Sequence, residues 1–303
     1  MIKMYQNQTH AGNTPDFWEE NWESDHFEES VRFCPIDPLR PLFEKYSQPG
    51  SLMLEGGCGL GQYLAYYAAQ GRRVVGIDFA RQALKNLHKR QSYLDLCAGD
   101  VSCLPFADET FDLYYSGGVV EHFEGGAEKS LQEARRVLKK DGVLLISVPY
   151  HSPLRSVLSL FKKAEWRRIG KPEIDSNGVF AGKKFFQYAY RPNEFERMLA
   201  EAGLRVVEKK GFAVLWGLYE IPFLNPNGKS EFAKVQDKKA KNAKNADEEI
   251  EAVEIREIIK DQPNSLLKRL VVSEDATVPV ASLGVKFFRW FSGNMMMYVC
   301  VRD

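Results

Sequence analysis

Leu52-Met53-Leu54-Glu55-Gly56-Gly57-Cys58-Gly59-Leu60-Gly61 is the stretch whose reading decides the fold of this chain. Leu52–Glu55 reads as a short apolar strand ending in an acid, and the glycines read as a turn. Gly61–Gln70 then reads as a helix that Gly71 stops. Glycine has no Cβ and tolerates positive φ, so such a turn lets backbone come very close to a ligand. A dinucleotide site wants Gly-x-Gly-x-x-Gly, with the pyrophosphate on the helix N-terminus. That register fails here: the third position falls on Gln62 when counted from Gly57, and on Leu64 when counted from Gly59. No Gly-Lys-Ser/Thr follows, so a Walker-type phosphate loop is also absent. What is present is acid-x-Gly-x-Gly-x-Gly, over Glu55, Gly57, Gly59 and Gly61. Taken alone, the same residues could form a purely structural strand-to-helix turn.

Outward from the turn, strand and helix patterns alternate. Arg73–Asp78 reads as a second strand, and Ala80–Arg90 as a helix with Ala83, Leu84 and Leu87 on one face. Leu94–Ala98, Phe111–Ser116 and Val143–Pro149 read as further strands, with a helix over Ala127–Leu138. This alternation predicts an α/β fold with a parallel sheet covered on both faces, and ligands at the C-terminal ends of its strands. The pattern resumes with a helix over Pro192–Ala202, a sixth strand over Leu204–Lys209 and a closing strand over Met295–Val301.

Further motifs fall at strand ends. Asp78 ends the second strand, where an acid can accept hydrogen bonds from ribose hydroxyls or cap the helix that follows. Gly99-Asp100-Val101 ends the third and precedes Leu104-Pro105-Phe106. Phe111-Asp112 opens the fourth, which runs into Ser116-Gly117-Gly118-Val119-Val120-Glu121-His122-Phe123. Arg135-Arg136-Val137-Leu138-Lys139-Lys140-Asp141-Gly142 joins a helix to the fifth strand.

Together these motifs, in order over residues 52–149, resemble the class I S-adenosylmethionine-dependent methyltransferases. Within that class the resemblance is to the small-molecule subgroup (methyltransferase type 11) that includes the quinone-ring enzymes. It covers about a third of the chain, and it departs at Asp141-Gly142, where the family has Gly-Gly. It implies a Rossmann-like methyltransferase fold: a mostly parallel seven-stranded sheet with an antiparallel last strand, plus helical cap insertions. It implies S-adenosyl-L-methionine as cofactor. An acid at the turn suits its cationic sulfonium and amino-acid end, whereas it would repel a pyrophosphate. Carried over residue by residue, the cofactor-binding set is Glu55, Gly57, Gly59, Gly61, Asp78, Phe79, Asp100, Val101 and Gly117. In that set Asp100 accepts the adenine amine, the Val101 amide serves a ring nitrogen, and Asp112 is structural.

Composition narrows the class. The chain has 303 residues, 44% of them hydrophobic, and a formal net charge of zero, so global charge does not argue for nucleic acid. The five cysteines, Cys34, Cys58, Cys97, Cys103 and Cys300, are scattered without a Cys-x-x-Cys, so a reducing compartment is expected. The first thirty residues are polar and acidic, unlike a signal peptide, and no run of about 18 apolar residues occurs. A cytoplasmic protein is the expectation. One acid and one histidine at Glu121-His122 make an incomplete metal set, so no metal is expected.

For catalysis, a base is needed where the acceptor must lose a proton. His122 is the first candidate, against the alternative that it packs on the cofactor edge. His151 is a weaker one, and Tyr150, Tyr188 and Tyr190 read as wall residues.

The expected organisation is an N-terminal lid or helical segment over 1–50 and an S-adenosylmethionine-binding core over 51–150. A cap insertion follows over 151–190, then a core helix and strand over 191–210, a long substrate-cap insertion over 211–294 and the last strand over 295–303. Within 1–50, Phe17, Trp18, Trp22 and Phe27 could pack on the core or close over the site. Ser152–Arg168 reads as a basic amphipathic helix, and Val285–Phe291 adds Phe287, Phe288, Trp290 and Phe291 beside Lys286 and Arg289. Both suit the apolar wall of a cap, or a surface that touches membrane. Ala233–Lys260 reads as a solvated helix or disordered loop. The expected reaction is methylation of a small apolar or aromatic acceptor. An RNA or protein methyltransferase, or a non-catalytic cofactor-binding regulator, are the competing readings.

Overall fold

The computed structural model describes residues 1–7, 14–22, 27–160, 183–221, 224, 255, 273–274 and 282–303. Among these, a seven-stranded sheet is built from β2 (Leu52–Gly56), β3 (Arg73–Asp78), β4 (Asp95–Ala98), β5 (Phe111–Gly117), β6 (Leu138–Pro149), β8 (Leu204–Phe212) and β9 (Met295–Arg302). Their order is β4-β3-β2-β5-β6-β9-β8. The pairs β2–β3, β2–β5, β3–β4 and β5–β6 are parallel, while β9 runs antiparallel to both β6 and β8.

The strands alternate because both faces of the sheet are buried. Leu54, Tyr114, Leu144, Ile146 and Tyr298 point into one core with helices α6 (Glu128–Val137) and α8 (Pro192–Glu201). Met53, Leu113, Tyr115, Leu145, Met297 and Val299 point into the other, with α2 (Phe27–Phe33), α3 (Arg40–Tyr46), α4 (Gln62–Ala68) and α5 (Arg81–Arg90). Each fully buried large apolar side chain contributes roughly 1.5–3 kcal/mol. A one-residue register slip would exchange the two sets.

The helix and strand boundaries agree with the sequence reading to within a few residues, except that β6 already begins at Leu138. Two strands have no counterpart in that reading. The 150–190 stretch contributes a strand, β7 (Lys183–Ala189), which pairs antiparallel with an N-terminal strand, β1 (Ile2–Asn7), as a separate two-stranded sheet. The amino terminus is fixed there by an ion pair with Glu194. Of the basic helix expected over Ser152–Arg168, α7 (Pro153–Leu160) is present, and the remainder lies outside the described residues. The expected helix or loop over Ala233–Lys260 also lies outside them, apart from Ile255.

The lead-in splits into two parts. Phe27, Val31, Leu42 and Phe43 are core residues. By contrast α1 (Pro15–Trp22) stands on α5, where Glu19 accepts the Gln82 amide at 3.3 Å. No helix among the described residues is long and apolar enough to cross a membrane.

Candidate functional site

The cleft lies at the C-terminal ends of β2, β3, β4 and β5, where the glycine turn leaves β2. It encloses about 980 Å³ of empty space, its open mouth included. The turn is tied to the next strand, since the Gly57 and Cys58 amides both donate to the Ile77 carbonyl, at 2.8 and 3.1 Å. Gly57 has φ +70°, and a Cβ there would meet Val119 at 2.4 Å. Gly59 has φ +49°, with Trp22 of α1 lying directly over it. The resulting concave backbone is open to a ligand on one side and covered by an indole on the other.

Asp78 organises the turn. Its Oδ2 accepts the Gly59 amide and its Oδ1 accepts the Ala80 amide, both at 2.8 Å. The capping position of α5 is Ala80, so Asp78 is not the cap residue that one sequence reading allowed. Burial raises its pKa, and the amides pull it back down. Each carboxylate oxygen can accept a second bond, so the carboxylate can still face a ligand hydroxyl.

Glu55 is 6% exposed, and burial raises its pKa, with the Leu64 amide opposing. Its Oε2 is buried without a hydrogen-bond partner among the described residues. An orphaned buried carboxylate oxygen costs free energy unless a donor or cation arrives.

Phe79, Gly99, Asp100 and Val101 line the opposite side. Asp100 is exposed, and its Oδ1 accepts the Ser102 amide at 2.7 Å, shaping the loop after β4. That loop is clamped from α6. The Arg136 guanidinium donates to the carbonyls of Leu104 and Phe106, and Glu133 accepts the Leu104 amide. Asp112 accepts the Leu52 amide and the Lys139 ammonium, away from the cleft lining.

His122 lies on the turn Val120–His122 and lines the cleft with Val119 and Phe123. Its ring stands edge-on to Trp18 at 4.8 Å and to Phe186 of β7 at 4.9 Å. Trp18 is in turn stacked near Trp22 at 5.9 Å. The His122 Nδ1 lies 2.7 Å from the Phe186 carbonyl oxygen. A carbonyl only accepts, so Nδ1 carries the proton and Nε2 carries the lone pair. Burial lowers the pKa to about 4, which keeps the ring neutral near pH 7.

Not every candidate meets in this cleft. His151 is buried beside Arg191 and Ser156, outside the residues that line it, because the chain turns away after β6 to start α7. Gly61 faces Leu87 of α5, and Gly59 faces Trp22, so neither lines the cleft directly. Tyr188 and Tyr190 pack in the β7 aromatic row, with the Tyr188 hydroxyl donating to the Glu124 carbonyl. Conversely Trp18, Trp22, Tyr63 and Tyr115 line the cleft. Trp18 and Trp22 were legible only as a choice between lid and core. Tyr63 and Tyr115 carry no sequence signal beyond apolar periodicity.

A mostly parallel sheet of this order, with an acid-glycine turn and an acid at the end of the next strand, is the Rossmann-like architecture that the sequence resemblance implied. Residues 54–146 match the family model described as a methyltransferase domain. Among curated proteins, the chain is 30% identical over 129 residues to a malonyl-[acyl-carrier protein] O-methyltransferase of Erwinia pyrifoliae, covering 42% of this chain and 47% of that protein. It is 37% identical over 113 residues to a demethylmenaquinone methyltransferase of Renibacterium salmoninarum, covering 36% and 47%. The chain thus spans about half the length of these curated relatives. A solved Haloferax volcanii methyltransferase, in complex with its activator protein, matches 94% of this chain and 97% of its own, with a TM-score of 0.52 and 16% identity. That likeness concerns the fold.

The cofactor of such a domain is S-adenosylmethionine, and the residues here fit it. The orphaned Glu55 oxygen awaits a donor or cation, Asp78 can accept from hydroxyls, and the glycine turn admits close contact.

Proposed function

We propose that this protein transfers a methyl group from S-adenosylmethionine to a small apolar or aromatic acceptor. One observation carries the reading: the acid-glycine turn and a neutral histidine walled by aromatic rings open into the same cleft. When bound, the cofactor supplies a sulfonium-activated methyl group. Asp78 accepts the ribose hydroxyls, Asp100 and the Val101 amide take the adenine edge, and Phe79 packs against it. Glu55, Gly57, Cys58 and Gly117 surround the amino-acid end. Gly59 and Gly61 act through the shape of the turn.

Trp18, Trp22 and Phe123 form the acceptor wall and exclude water, and holding two reactants together this way supplies much of the rate. His122 accepts the acceptor's proton at Nε2, with Nδ1–H held on the Phe186 carbonyl. A base with so low a pKa suits an acceptor that gives up its proton readily, such as an enol, an acid or an acidic phenol. The two named relatives act on an acyl-carrier-bound malonyl group and a quinone-type ring, which is compatible with that class.

The surface around α9 (Val214–Leu218) and α10 (Ser282–Ser292) fits an acceptor that is lipid-like. Trp216, Phe287, Phe288 and Trp290 are exposed there beside Lys286. The helix α10 leads into β9, whose start pairs with the end of β6, so this face lies at the same end of the sheet as the cleft. Cosedimentation with anionic vesicles that is lost in Phe287→Ser/Trp290→Ser supports peripheral membrane contact, and equal recovery of both proteins in the supernatant removes it.

The test of the main reading is transfer of labelled methyl from S-adenosylmethionine into organic-extractable metabolites. Labelled product absent with His122→Ala is the expected result. Calorimetry showing no S-adenosylhomocysteine binding to the intact protein would sink the proposal.

A further inference from the structure

The two-stranded sheet β1–β7 carries an irregularity beside the cleft. Its register runs Ile2–Ala189, Lys3–Tyr188 and Met4–Gln187, and then jumps to Tyr5–Phe185. Phe186 has no opposite number, so it is the extra residue of a β-bulge in β7. The side chains show the same break. In a regular strand, residues two apart share a face. Here Phe185 and Tyr188, three apart, share one: their ring centroids lie 4.9 Å apart, and the Lys3 ammonium sits over both rings, at 5.9 and 5.7 Å. Both rings belong to the core with Tyr190. Gln187 lies on the other face, where its side-chain amide donates to the Met4 sulfur at 3.6 Å.

The extra residue is not what packs the strand. Without it the sequence would run Phe185-Gln187-Tyr188-Ala189-Tyr190, with the three aromatic residues at alternate positions. All three would keep the core face, and the ladder to β1 would close without a jump. What the bulge does is visible at Phe186 itself. The ladder passes over this residue, and its carbonyl oxygen meets the Nδ1–H of His122 at 2.7 Å. Its ring stands edge-on to the same imidazole at 4.9 Å and to Phe17 of α1 at 6.3 Å. Trp18 stands against the imidazole from α1 at 4.8 Å. One extra residue therefore supplies both the acceptor that sets the tautomer and a ring that fixes the imidazole plane. Phe186 is not among the residues that line the cleft, so it acts through His122.

We propose that the bulge at Phe186 is a positioning device for His122: it holds the ring proton on Nδ1, leaves Nε2 for the acceptor's proton, and is not required by the fold. This rests on His122 being the base. Phe186 is a positioning residue, and its carbonyl and its ring have separable roles. The carbonyl decides which nitrogen is protonated, and the ring restricts how the imidazole turns. Phe186→Leu removes the ring and keeps the backbone, whereas deletion of Phe186 removes the bulge and leaves a regular strand.

Nitrogen-15 NMR of the full chain, labelled in its histidines, reads the protonated ring nitrogen directly. The His122 signals are identified by their loss in His122→Gln. Wild type is expected to show the Nδ1–H tautomer at neutral pH, and Phe186→Leu is expected to keep it. The deletion variant is expected to melt within about 4 °C of wild type. It should bind S-adenosylhomocysteine with unchanged affinity and show His122 as the Nε2–H tautomer or as a mixture of the two. Its methyl transfer is expected to fall roughly tenfold or more, part of what a positioned base supplies. A wild-type protein with the His122 proton on Nε2 overturns the proposal without any variant. A deletion variant that still holds the proton on Nδ1 alone overturns it as well, and so does one that melts far below wild type, since the bulge then serves the fold. A changed tautomer with full turnover instead overturns the base role of His122 and leaves Phe186 in control of its tautomer.

Discussion

At the scale of single residues, conformation and protonation set what the cleft can do. Asp78 holds the Gly59 and Ala80 amides while facing the ligand space. Asp78→Ala leaves two buried amides unpaired, at about 1–3 kcal/mol each, and removes the proposed ribose acceptor. We expect S-adenosylhomocysteine affinity to fall at least roughly tenfold by calorimetry, alongside a lowered melting temperature. His122 titrates at about 4 in the fold, against ~6.5 for a free histidine. Between those values the unfolded chain binds the extra proton and the folded chain does not, so this group's contribution to stability is lost as pH falls from ~6.5 towards 4. His151, also lowered to about 4 by burial and by Arg191, acts in the same direction. Substituting His122 with Gln should flatten this acid limb in melting curves. It should also lower turnover by roughly 10²–10⁴-fold if the base role holds. A variant with full turnover would leave His122 as a packing residue.

At the scale of elements, the turn Val120–His122 and the helix α1 carry the most information. Glu121 on that turn is 1% exposed, with Oε2 unpartnered among the described residues, and burial raises its pKa to about 8. The folded chain therefore keeps a proton that the unfolded chain releases near ~4.5, and stability falls as pH rises from ~4.5 to about 8. Glu121→Gln removes this penalty. The melting temperature of the variant should match wild type near pH 4.5, exceed it increasingly up to about pH 8 and level off beyond. A constant offset across that range would contradict the shift. In α1, Trp22 covers Gly59 and Trp18 stands against His122. Trp22→Ala should weaken cofactor binding, and Trp18→Ala should raise the KM for the acceptor with a smaller effect on cofactor affinity, each roughly tenfold. The strand pair β1–β7 matters for the same reason, since it presents the Phe186 carbonyl that fixes the His122 tautomer.

At the scale of the whole molecule, charged contacts join segments distant in sequence. Arg155 of α7 has a side chain only 7% exposed and pairs with Glu220 beyond α9. It also donates to the carbonyls of Tyr150 and Asn294, and so links the end of β6, the start of β9 and two helices. Arg155→Leu strands the Glu220 carboxylate and those carbonyls. The expected loss is about 1–3 kcal/mol in denaturant unfolding, the cost of leaving part-buried polar groups unpaired. If Glu220→Leu in the same background restores most of that loss, the penalty lay in the uncompensated charge.

The residues from 52 to 149 determined by themselves the parallel strands of the sheet, the glycine turn and the acids at the strand ends. Their information is local: a period of two or 3.6 residues, glycine where φ must be positive, and an acid at fixed distance from the turn. The turn at Glu55–Gly61 also discriminated between cofactors, because spacing alone excluded a pyrophosphate. Tertiary structure decided what lies across the cleft. Asp37 meets Tyr63 from 26 positions away, and Phe186 meets His122 from 64 positions away. No periodicity in the chain encodes either contact. It also moved His151 out of the site and turned Gly61 towards α5, since both depend on how the chain leaves a strand end. The pairing of β1 with β7 was illegible for the same physical reason: long-range pairing partners depend on the folded scaffold that brings two edges together.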